Sequence, residues 1–180
     1  VRTNSIIAAI LVALLVGGLV GLSSGSLQNN YVNASVIGKE NVGGLAGQIN
    51  GASILKNIVE LYENDRLAGN TDLVVNAISG VNNVGGLIGY VNDTNLTNVS
   101  NISNNYIKNY LSKLYIFSDG IAGGLIGKVD GITNSNTNST TTIQTSFANV
   151  FVKANIAGGL IGEANTSTIT HVYSRGKVEG

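Results

Sequence analysis

The hydrophobic and polar positions divide the chain into two parts with different patterns. Residues 6–22 form one apolar run without a charged residue, and the small polar residues 23–26 follow it. Beyond that point the apolar residues occur in short segments, where they alternate with polar ones, as at residues 168–173. A long apolar run predicts an α-helix, here over residues 3–22, and a period of two predicts β-strands. The pattern therefore predicts a mainly β protein with one N-terminal hydrophobic α-helix.

A five-residue phrase, Gly-Gly-Leu-x-Gly with Ala or Ile at x, recurs four times in the β part of the chain. Its copies begin 42, 38 and 35 residues apart (85 − 43, 123 − 85 and 158 − 123). Self-similarity at such a period is typical of a solenoid or another repeat array. A turn and a β-branched segment follow each copy, which predicts a unit of strand, turn and strand. The repeat glycines are Gly43, Gly44, Gly47, Gly85, Gly86, Gly89, Gly123, Gly124, Gly127, Gly158, Gly159 and Gly162.

These glycines have a structural interpretation and a functional one. A Gly-Gly pair between strands indicates a close backbone approach, a bulge or a tight corner, and stacked coils need one at the same place in every coil. A phosphate-binding loop would need Lys-Ser or Lys-Thr after the glycines, and no copy has it. The structural interpretation is therefore favoured.

The repeat resembles the GLUG motif of microbial cell-surface proteins and adhesins. That pattern consists of Gly-Gly-Leu-hydrophobic-Gly, a short Asn/Gly-rich turn, an Ile-centred strand and an aromatic-containing strand that ends in a Val-x-Gly-like step. Residues 157–180 match it throughout, and residues 29–38 are similar to the tail of a unit that lacks a head. The resemblance covers most of residues 28–180. It implies a repeat β-solenoid-like head domain and a surface location, and it specifies no activity.

The first three copies depart from the GLUG pattern through insertions. One of these insertions has its own periodicity, since its apolar residues recur at helical spacing before a predicted strand at residues 114–117. This spacing predicts a short helix that covers a solenoid face or contacts another subunit. Its residues are Tyr106, Ile107, Tyr110, Leu111 and Leu114. The insertions are at residues 60–74, 98–114 and 134–142.

Three interpretations of the apolar run are open. A secretory signal peptide would use Arg2 as its positive region, and a membrane anchor would remain in the bilayer. As a helix the run reaches about 25 Å, slightly less than the ~30 Å hydrocarbon core. The third interpretation is an assembly helix, in which Gly17 and Gly21 let neighbouring helices approach closely.

The assembly interpretation rests on a resemblance to archaeal and bacterial type IV pilins, which also begin with a hydrophobic helix. Val1 is what removal of a leader would leave. Bacterial pilins carry Glu at the fifth mature position, where this chain has Ser5, and archaeal ones often lack it. This resemblance and that to the GLUG repeats together imply a helix with its linker at residues 1–26 and a GLUG-like head at residues 27–180. The predicted assembly-helix residues are Ile6, Ile7, Ile10, Leu11, Leu14, Leu15, Gly17, Gly18 and Gly21.

Together the two resemblances imply a structural subunit of a pilus-like extracellular filament, a helical homo-oligomer that exposes a glycosylated β head. The alternative is a membrane-anchored cell-surface adhesin that binds glycans. In both cases the membrane is a partner, either before assembly or as the site of anchoring. Nucleic acid is not an expected partner, because Lys and Arg total 10, Asp and Glu total 10, and the net charge is +0.

Acceptor triplets for N-glycosylation are frequent, and four of them follow one another at every third residue. Polar ladder positions on a solenoid face explain the same pattern equally well. Occupied acceptors would indicate an extracellular and archaeal glycoprotein. The candidate acceptors are Asn33, Asn92, Asn95, Asn98, Asn101, Asn138 and Asn165.

The sequence shows no catalytic or metal-binding pattern. His171 is the single histidine, and its alternating surroundings predict an outward or stacking strand residue. With no cysteine in the chain, a zinc site is not expected. Carboxylates are scattered, and those in predicted turns lack the spacing of an EF-hand, so they indicate weak calcium binding at most. We therefore expect neither enzymatic activity, nor a cofactor, nor a metal site. The turn carboxylates are Asp93, Asp119, Asp130 and Glu163.

Overall fold

The structure, a computed structural model, describes residues 14–61, 75–94, 98–109, 114–137 and 139–180. Within these residues the chain forms 27 β-strands and no α-helix. The strands are short because the backbone turns a corner after each one. Five strands complete one coil, and five coils follow one another along the chain.

Coils 1 to 3 each contain five strands. Coil 1 consists of β1 (Leu15–Gly17), β2 (Val20–Ser23), β3 (Ser26–Gln28), β4 (Tyr31–Ala34) and β5 (Val36–Ile37). Coil 2 consists of β6 (Asn41–Gly43), β7 (Ala46–Ile49), β8 (Ser53–Leu55), β9 (Ile58–Leu61) and β10 (Val75–Gly80). Coil 3 consists of β11 (Val84–Gly85), β12 (Ile88–Asn92), β13 (Asn101–Ser103), β14 (Tyr106–Lys108) and β15 (Leu114–Ser118).

Coils 4 and 5 continue this order, and coil 4 carries an additional hairpin. Coil 4 consists of β16 (Ile121–Gly123), β17 (Ile126–Asp130), β20 (Thr142–Gln144), β21 (Phe147–Asn149) and β22 (Phe151–Lys153). Its hairpin is formed by β18 (Thr133–Asn134) and β19 (Ser139–Thr140), which pair antiparallel. Coil 5 consists of β23 (Ile156–Gly158), β24 (Ile161–Asn165), β25 (Thr168–Thr170), β26 (Tyr173–Arg175) and β27 (Val178–Glu179).

Equivalent strands of successive coils pair in parallel and build five sheets, A to E, in the order in which the chain passes through them. Val42 of sheet A, for example, pairs with Val16 on one side and with Val84 on the other. Parallel in-register pairing places equivalent side chains above one another, in columns parallel to the solenoid axis. The protein is therefore a five-sided parallel β-solenoid.

The core fills the inside of the coils with aliphatic columns. Ile54, Ile102 and Ile143 form one column on sheet C, and each is fully buried. Burying one such side chain contributes about 1.5–3 kcal/mol. A leucine column made of Leu45, Leu87 and Leu125 occupies the corner between sheets A and B and is also fully buried. The Leu of the repeated phrase is thus a core residue in coils 2 to 4.

The glycines of the phrase lie where neighbouring coils approach most closely. A Cβ atom on Gly86 would be 2.2 Å from the carbonyl oxygen of Gly124 in the next coil. A Cβ atom on Gly89 would be 2.4 Å from the backbone nitrogen of Val42 in the preceding coil. Since the obstructing atoms belong to the backbone, no side-chain rearrangement can make room. These corners therefore require glycine, because the backbone of a neighbouring coil lies where a Cβ atom would be.

The predicted N-terminal helix is wrong for the residues that the structure describes. Residues 14–22 contribute β1 and β2, which pair with β6 and β7 of coil 2. Gly17, Gly18 and Gly21 each disfavour a helix by about 1 kcal/mol relative to alanine. They belong instead to a fifth copy of the phrase, Gly-Gly-Leu-Val-Gly, at residues 17–21. The predicted assembly residues Ile6, Ile7, Ile10 and Leu11 lie outside the described residues.

This fifth copy also supplies the head that the tail at residues 29–38 was predicted to lack. The solenoid has five coils where the sequence predicted about four. The proposed domain boundary between residues 26 and 27 falls inside β3, and residues on both sides of it pair with coil 2.

The insertions differ from those predicted. Residues 98–114 include β13 and β14, so that Tyr106 and Ile107 lie in a strand and the predicted helix is wrong there. Tyr110 and Leu111 lie outside the described residues. The insertion at residues 134–142 is largely the β18–β19 hairpin. Of residues 60–74, the first two end β9 and the segment 62–74 is not described.

Candidate functional site: the end faces and polar columns of the solenoid

The first and the last described coil differ from the internal coils, which pair with a neighbour on both sides. No described strand pairs with coil 1 on the side away from coil 2, or with coil 5 on the side away from coil 4. We call these two surfaces the N-terminal and the C-terminal end face. An unpaired strand edge presents N–H and C=O groups to which another chain can add. Each end face offers five such edges, arranged around one coil.

Exposed apolar side chains concentrate at the two ends. Among the described residues ten large hydrophobic side chains are exposed, and nine of them (5 + 4) belong to the two terminal coils, which leaves only Val81 elsewhere. Such clustering marks an interaction surface more often than single scattered residues do. The five near coil 1 are Leu14, Leu19, Leu22, Tyr31 and Ile37, and the four in coil 5 are Ile156, Ile169, Tyr173 and Val178.

An asparagine ladder runs through the corner between sheets C and D. The Asn57 backbone N–H and its side-chain amide both donate to Oδ1 of Asn105, each at 3.0 Å. In the same way Asn30 donates to Oδ1 of Asn57, at 3.1 Å from the backbone nitrogen and 2.8 Å from Nδ2. The Asn105 backbone N–H donates to Oγ of Ser146 at 3.0 Å. Since Asn57 and Asn105 are fully buried, these bonds satisfy groups that water cannot reach.

The ladder has a direction. In every step the N–H group of one coil donates to a side-chain oxygen of the following coil. Coil 5 has Val172 at this position, and no bond to its N–H is found in the described part of the chain. Among the same residues nothing donates to Oδ1 of Asn30. The ladder thus runs from Asn30 in coil 1 to Ser146 in coil 4, because Val172 has no side-chain oxygen that could accept the next bond.

The residue before each ladder position adopts a left-handed backbone conformation. Asn29, Lys56 and Asn104 have φ values of 57°, 56° and 57°, and Thr145 and His171 have values of 47° and 52°. A non-glycine residue in this region costs roughly 1–2 kcal/mol. The ladder bonds donated by the residues after the first three of these corners compensate for this strain. His171, which was predicted to lie in a strand, is an exposed corner residue.

An aromatic column lies on the outside of sheet D. The ring centroids of Tyr106 and Phe147 are 4.6 Å apart, and those of Phe147 and Tyr173 are 4.9 Å apart with nearly parallel planes. Ile58 interrupts the column in coil 2, and Tyr31 occupies it in coil 1, where its hydroxyl group donates to Glu60. The side chains of Tyr31 and Tyr173 are 60% and 59% exposed. The column therefore ends in an exposed ring at each end face.

Asp93 is a buried carboxylate that joins three coils. Its Oδ1 accepts from the Gly51 N–H and the Ser100 hydroxyl at 2.8 Å, and its Oδ2 accepts from the Ser100 N–H and the Thr141 hydroxyl at 2.7 Å. The carboxylate is fully buried. These four protein donors surround both oxygens, so the carboxylate holds Gly51, Ser100 and Thr141 together. Asp93 thus has a structural environment, where the sequence indicated weak calcium binding at most.

A second polar network crosses sheet B on the surface. Asp130 accepts from the Tyr90 hydroxyl at 2.7 Å and from the Asn165 amide at 2.8 Å, and Lys128 lies 3.3 Å from both Asp130 and Glu163. Burial and the bond to Asp130 raise the pKa of Tyr90 to about 12. Burial alone would raise the pKa of Asp130, but the hydrogen bonds from Asn165, Tyr90 and Lys128 outweigh it and lower this pKa. For Lys128 burial acts to lower the pKa, whereas the bonds to Asp130 and Glu163 raise it overall.

A polar groove lies on sheet C between residues 98–100 and the β18–β19 hairpin. It comprises two adjoining hollows of about 430 and 390 Å³, which share Val99 and Ser139. Hydroxyl and amide side chains predominate in its lining, and no charged residue contributes to it. The larger hollow is lined by Val99, Ser100, Asn101, Ser139, Thr140, Thr142 and Gln144.

The candidate glycosylation acceptors occupy different environments. Asn33, Asn98, Asn101 and Asn165 are exposed, and Asn165 donates to Asp130 and Glu163. Asn92 is half-buried and accepts from the Thr94 hydroxyl at 2.8 Å. Asn95 and Asn138 lie outside the described residues.

No cluster of three or more potential metal-ligating side chains occurs in the described ranges, and no helix there is long and apolar enough to cross a membrane. The fold defines the protein as a β-solenoid. No family model matches the chain, and neither the curated proteins nor the solved structures include a similar one.

Proposed function

We propose that the protein is a self-associating structural subunit of an extracellular surface assembly, and that it associates through the end faces of its solenoid. The observation that carries the proposal is the concentration of exposed apolar side chains, nine of ten, at the two terminal coils. The N-terminal helix has no part in it, because residues 14–22 belong to the strands and corner of coil 1.

Edge pairing is the physical basis of this association. A second solenoid placed on an end face would pair up to five strand edges and cover the apolar side chains at the same time. Contacts between unlike ends do not close on themselves, so they generate open filaments or linear arrays.

The surface location is supported by the resemblance to GLUG-repeat proteins and by the acceptor triplets. Asn33, Asn98 and Asn101 are exposed on the flanks of the solenoid, on or beside sheets C and D. Sugars at Asn98 and Asn101 would leave both end faces free, because these residues belong to coil 3. Mass spectrometry of the native protein tests their occupancy.

The association is tested with a charge placed on an end face. Ile169→Lys introduces a cation on the C-terminal end face, and Val81→Lys introduces the same cation at the exposed apolar position in the middle of the solenoid. We expect sedimentation and negative-stain electron microscopy to show linear oligomers for the wild type and for Val81→Lys. Ile169→Lys should weaken association about tenfold or more, because burying an unpaired charge is costly. A wild-type protein that remains monomeric contradicts the proposal.

The second candidate function is a surface adhesin, and the groove on sheet C favours it. Its hydroxyl and amide lining carries no formal charge, which suits a neutral polyhydroxylated ligand such as an oligosaccharide. Glycan-array binding that is lost in Asn101→Ala, but retained in Asn149→Ala on sheet D, would support this function. Loss of binding in both variants, or in neither, would oppose it.

A further inference from the structure

We propose that Asn50 is a site of covalent modification by deamidation, and that the buried carboxylate of Asp93 suppresses this reaction in the folded protein. Asn50 and Gly51 form the corner between β7 and β8 of coil 2, and Asp93 follows β12 of coil 3. The inference goes beyond the proposed function. It concerns internal coils alone, so it does not depend on what covers the end faces.

The chain contains one Asn-Gly pair, Asn50–Gly51. In such a pair the backbone nitrogen of the glycine attacks Cγ of the asparagine, because no side chain obstructs its approach. A bond between the Gly51 nitrogen and Cγ forms, the Cγ–Nδ2 bond breaks, and the amide nitrogen leaves as ammonia with the proton of the Gly51 N–H. Water then opens the succinimide ring to aspartate or isoaspartate. This chemistry makes asparagine a thermolabile residue.

The corner between β7 and β8 depends on the glycine of this pair. Gly51 has a φ value of 57°, in the left-handed region that glycine adopts without steric cost. Asn50 and Gly51 are both half-buried, so water reaches the corner. The side chain of Asn50 is oriented by Gln48, whose amide donates to Oδ1 of Asn50 at 2.9 Å. The fold thus places a reactive pair at a partly accessible position.

Asp93 holds the group that would attack. The Gly51 N–H donates to Oδ1 of Asp93 at 2.8 Å, and this bond must break before the nitrogen can turn toward Cγ of Asn50. Ser100 and Thr141 donate to the same carboxylate, so it cannot follow the nitrogen. Its negative charge also disfavours the deprotonated nitrogen that the attack requires. Geometry and charge therefore both oppose the reaction.

The two Asp-Gly pairs of the chain, at residues 119–120 and 130–131, can cyclise in the same way with loss of water. Their glycine N–H groups are bonded as well. Gly120 donates to Oγ of Ser118, and Gly131 donates to the carbonyl oxygen of Asn165, both at 3.0 Å. Gly51 differs from them because its acceptor is a carboxylate, and charge-assisted hydrogen bonds are the stronger type. The Asn-Gly pair thus has the strongest of the three acceptors.

Deamidation would disturb coil 2. The product carries a new carboxylate close to Asp93, and isoaspartate adds an atom to the backbone between β7 and β8. These two strands pair in register with coil 1 and with coil 3. An additional backbone atom shifts one strand against its neighbours, and in-register pairing keeps apolar side chains on the core side. Suppressing the reaction therefore protects the register of the coil.

Asp93→Ala tests the inference, with Asn105→Ala as the matched control. Asp93→Ala removes the acceptor of the Gly51 N–H. Asn105→Ala also removes four buried hydrogen bonds, but it leaves Asp93 in place. Both variants and the wild type are incubated in the folded state, which circular dichroism verifies. Peptide mapping by mass spectrometry then quantifies aspartate and isoaspartate at residue 50.

We expect Asn50 to deamidate about tenfold faster or more in Asp93→Ala than in the wild type, because a hydrogen bond to a charged group is lost. In Asn105→Ala the rate should stay within about twofold of the wild-type rate, since its site is separate from the Asn50 corner. Isoaspartate at Asp119 and Asp130 is an internal control in each sample and should be unchanged.

Three outcomes overturn the inference. An unchanged rate in Asp93→Ala means that the carboxylate does not protect Asn50, and a lower rate means that it acts as a base for the attack. Equal acceleration in Asp93→Ala and Asn105→Ala means that the reaction follows overall stability.

A measurement on the wild type keeps the inference testable if Asp93→Ala fails to fold. Deamidation of Asn50 in the folded protein should be about a hundredfold slower or more than in the urea-unfolded chain, because the corner must open before the attack. Hydrogen exchange should show the Gly51 amide to be protected to a similar degree. Equal deamidation rates in the folded and the unfolded chain overturn the inference.

Discussion

Asn57 and Asn105 form the central step of a ladder in which one side-chain oxygen accepts two hydrogen bonds. Oδ1 of Asn105 receives the backbone N–H and the side-chain amide of Asn57, both at 3.0 Å. The amide of Asn105 in turn donates to the carbonyl oxygens of Ile54 and Ser103. One side chain therefore satisfies polar groups in two coils at a fully buried corner.

Replacing Asn105 with alanine should lower the free energy of unfolding by about 3 kcal/mol, since four hydrogen bonds are lost and buried groups remain without partners. Urea unfolding monitored by circular dichroism measures this change. Asn149→Ala is the matched control at an exposed position of sheet D and should change stability by less than about 0.5 kcal/mol. Equal effects of the two substitutions would show that the ladder does not stabilise the corner.

Asp93→Asn should destabilise the protein by about 2–4 kcal/mol. The four donors that surround the carboxylate suit two acceptor oxygens, and an asparagine would turn an NH₂ group toward two of them. Asp119→Asn, at an exposed corner, serves as the control with little expected effect. Calorimetry would compare the two variants, and limited proteolysis should cleave the chain near Ser100 faster in Asp93→Asn alone.

Tyr90 should make the stability fall at alkaline pH. The pKa of Tyr90 in the folded protein is about 12 and exceeds the ordinary value of 10.0. Its contribution to stability is therefore complete below pH 10 and is lost as the pH rises toward 12. Tyr90→Phe should therefore show a smaller alkaline loss of stability than the wild type in urea unfolding. An equal loss in both proteins would exclude Tyr90 as its source.

Asp130 should make the stability fall at acidic pH, so its pH dependence has the opposite sign to that of Tyr90. Its folded pKa is lowered, so its contribution is present above the unfolded pKa and is lost as the pH falls through the folded one. Tyr90→Phe removes one of the hydrogen bonds to the carboxylate. NMR titration should then give a higher Asp130 pKa in the variant than in the wild type. An unchanged value would mean that this bond is absent in solution.

Gly86→Ala should prevent correct stacking, because the new Cβ atom would lie 2.2 Å from a backbone oxygen of the next coil. We expect a loss of more than about 4 kcal/mol or insoluble protein. Gly25→Ala is the control, since no atom lies within 4 Å of the new Cβ. That substitution should be neutral or stabilise the protein by about 0.5 kcal/mol. Thermal unfolding and the yield of soluble protein distinguish the Gly86→Ala variant from the Gly25→Ala variant.

Much of the solenoid could be predicted from the repeated phrase. The spacing of the Gly-Gly-Leu copies indicates stacked units, and the structure has them in register at Gly43, Gly85, Gly123 and Gly158. The asparagine ladder also leaves a signal in the sequence. Asn30, Asn105 and Ser146 each precede an aromatic residue, so aligning the coils by their phrase would bring these polar residues into one column.

The insertions and the groove could not be predicted in the same way. The helical spacing that includes Tyr106 and Ile107 is a coincidence within a strand and its neighbouring corner. In the structure Ile107 pairs with Val59 and Ala148 and is fully buried between them. Asp93 was assigned to a turn from local sequence alone. Its environment depends on Gly51 and Thr141, which are 42 and 48 residues away.

The sequence by itself determined the repeat and its corners, because only glycine tolerates the approach of a backbone atom from the next coil. Whether residues 14–22 form a helix or strands was decided only by the tertiary structure. An apolar run has the same local pattern as a buried helix and as a strand with neighbours on both sides. β1 forms because Val16 and Gly17 pair with Val42 and Gly43, 26 residues further along the chain, and no local pattern contains that partner.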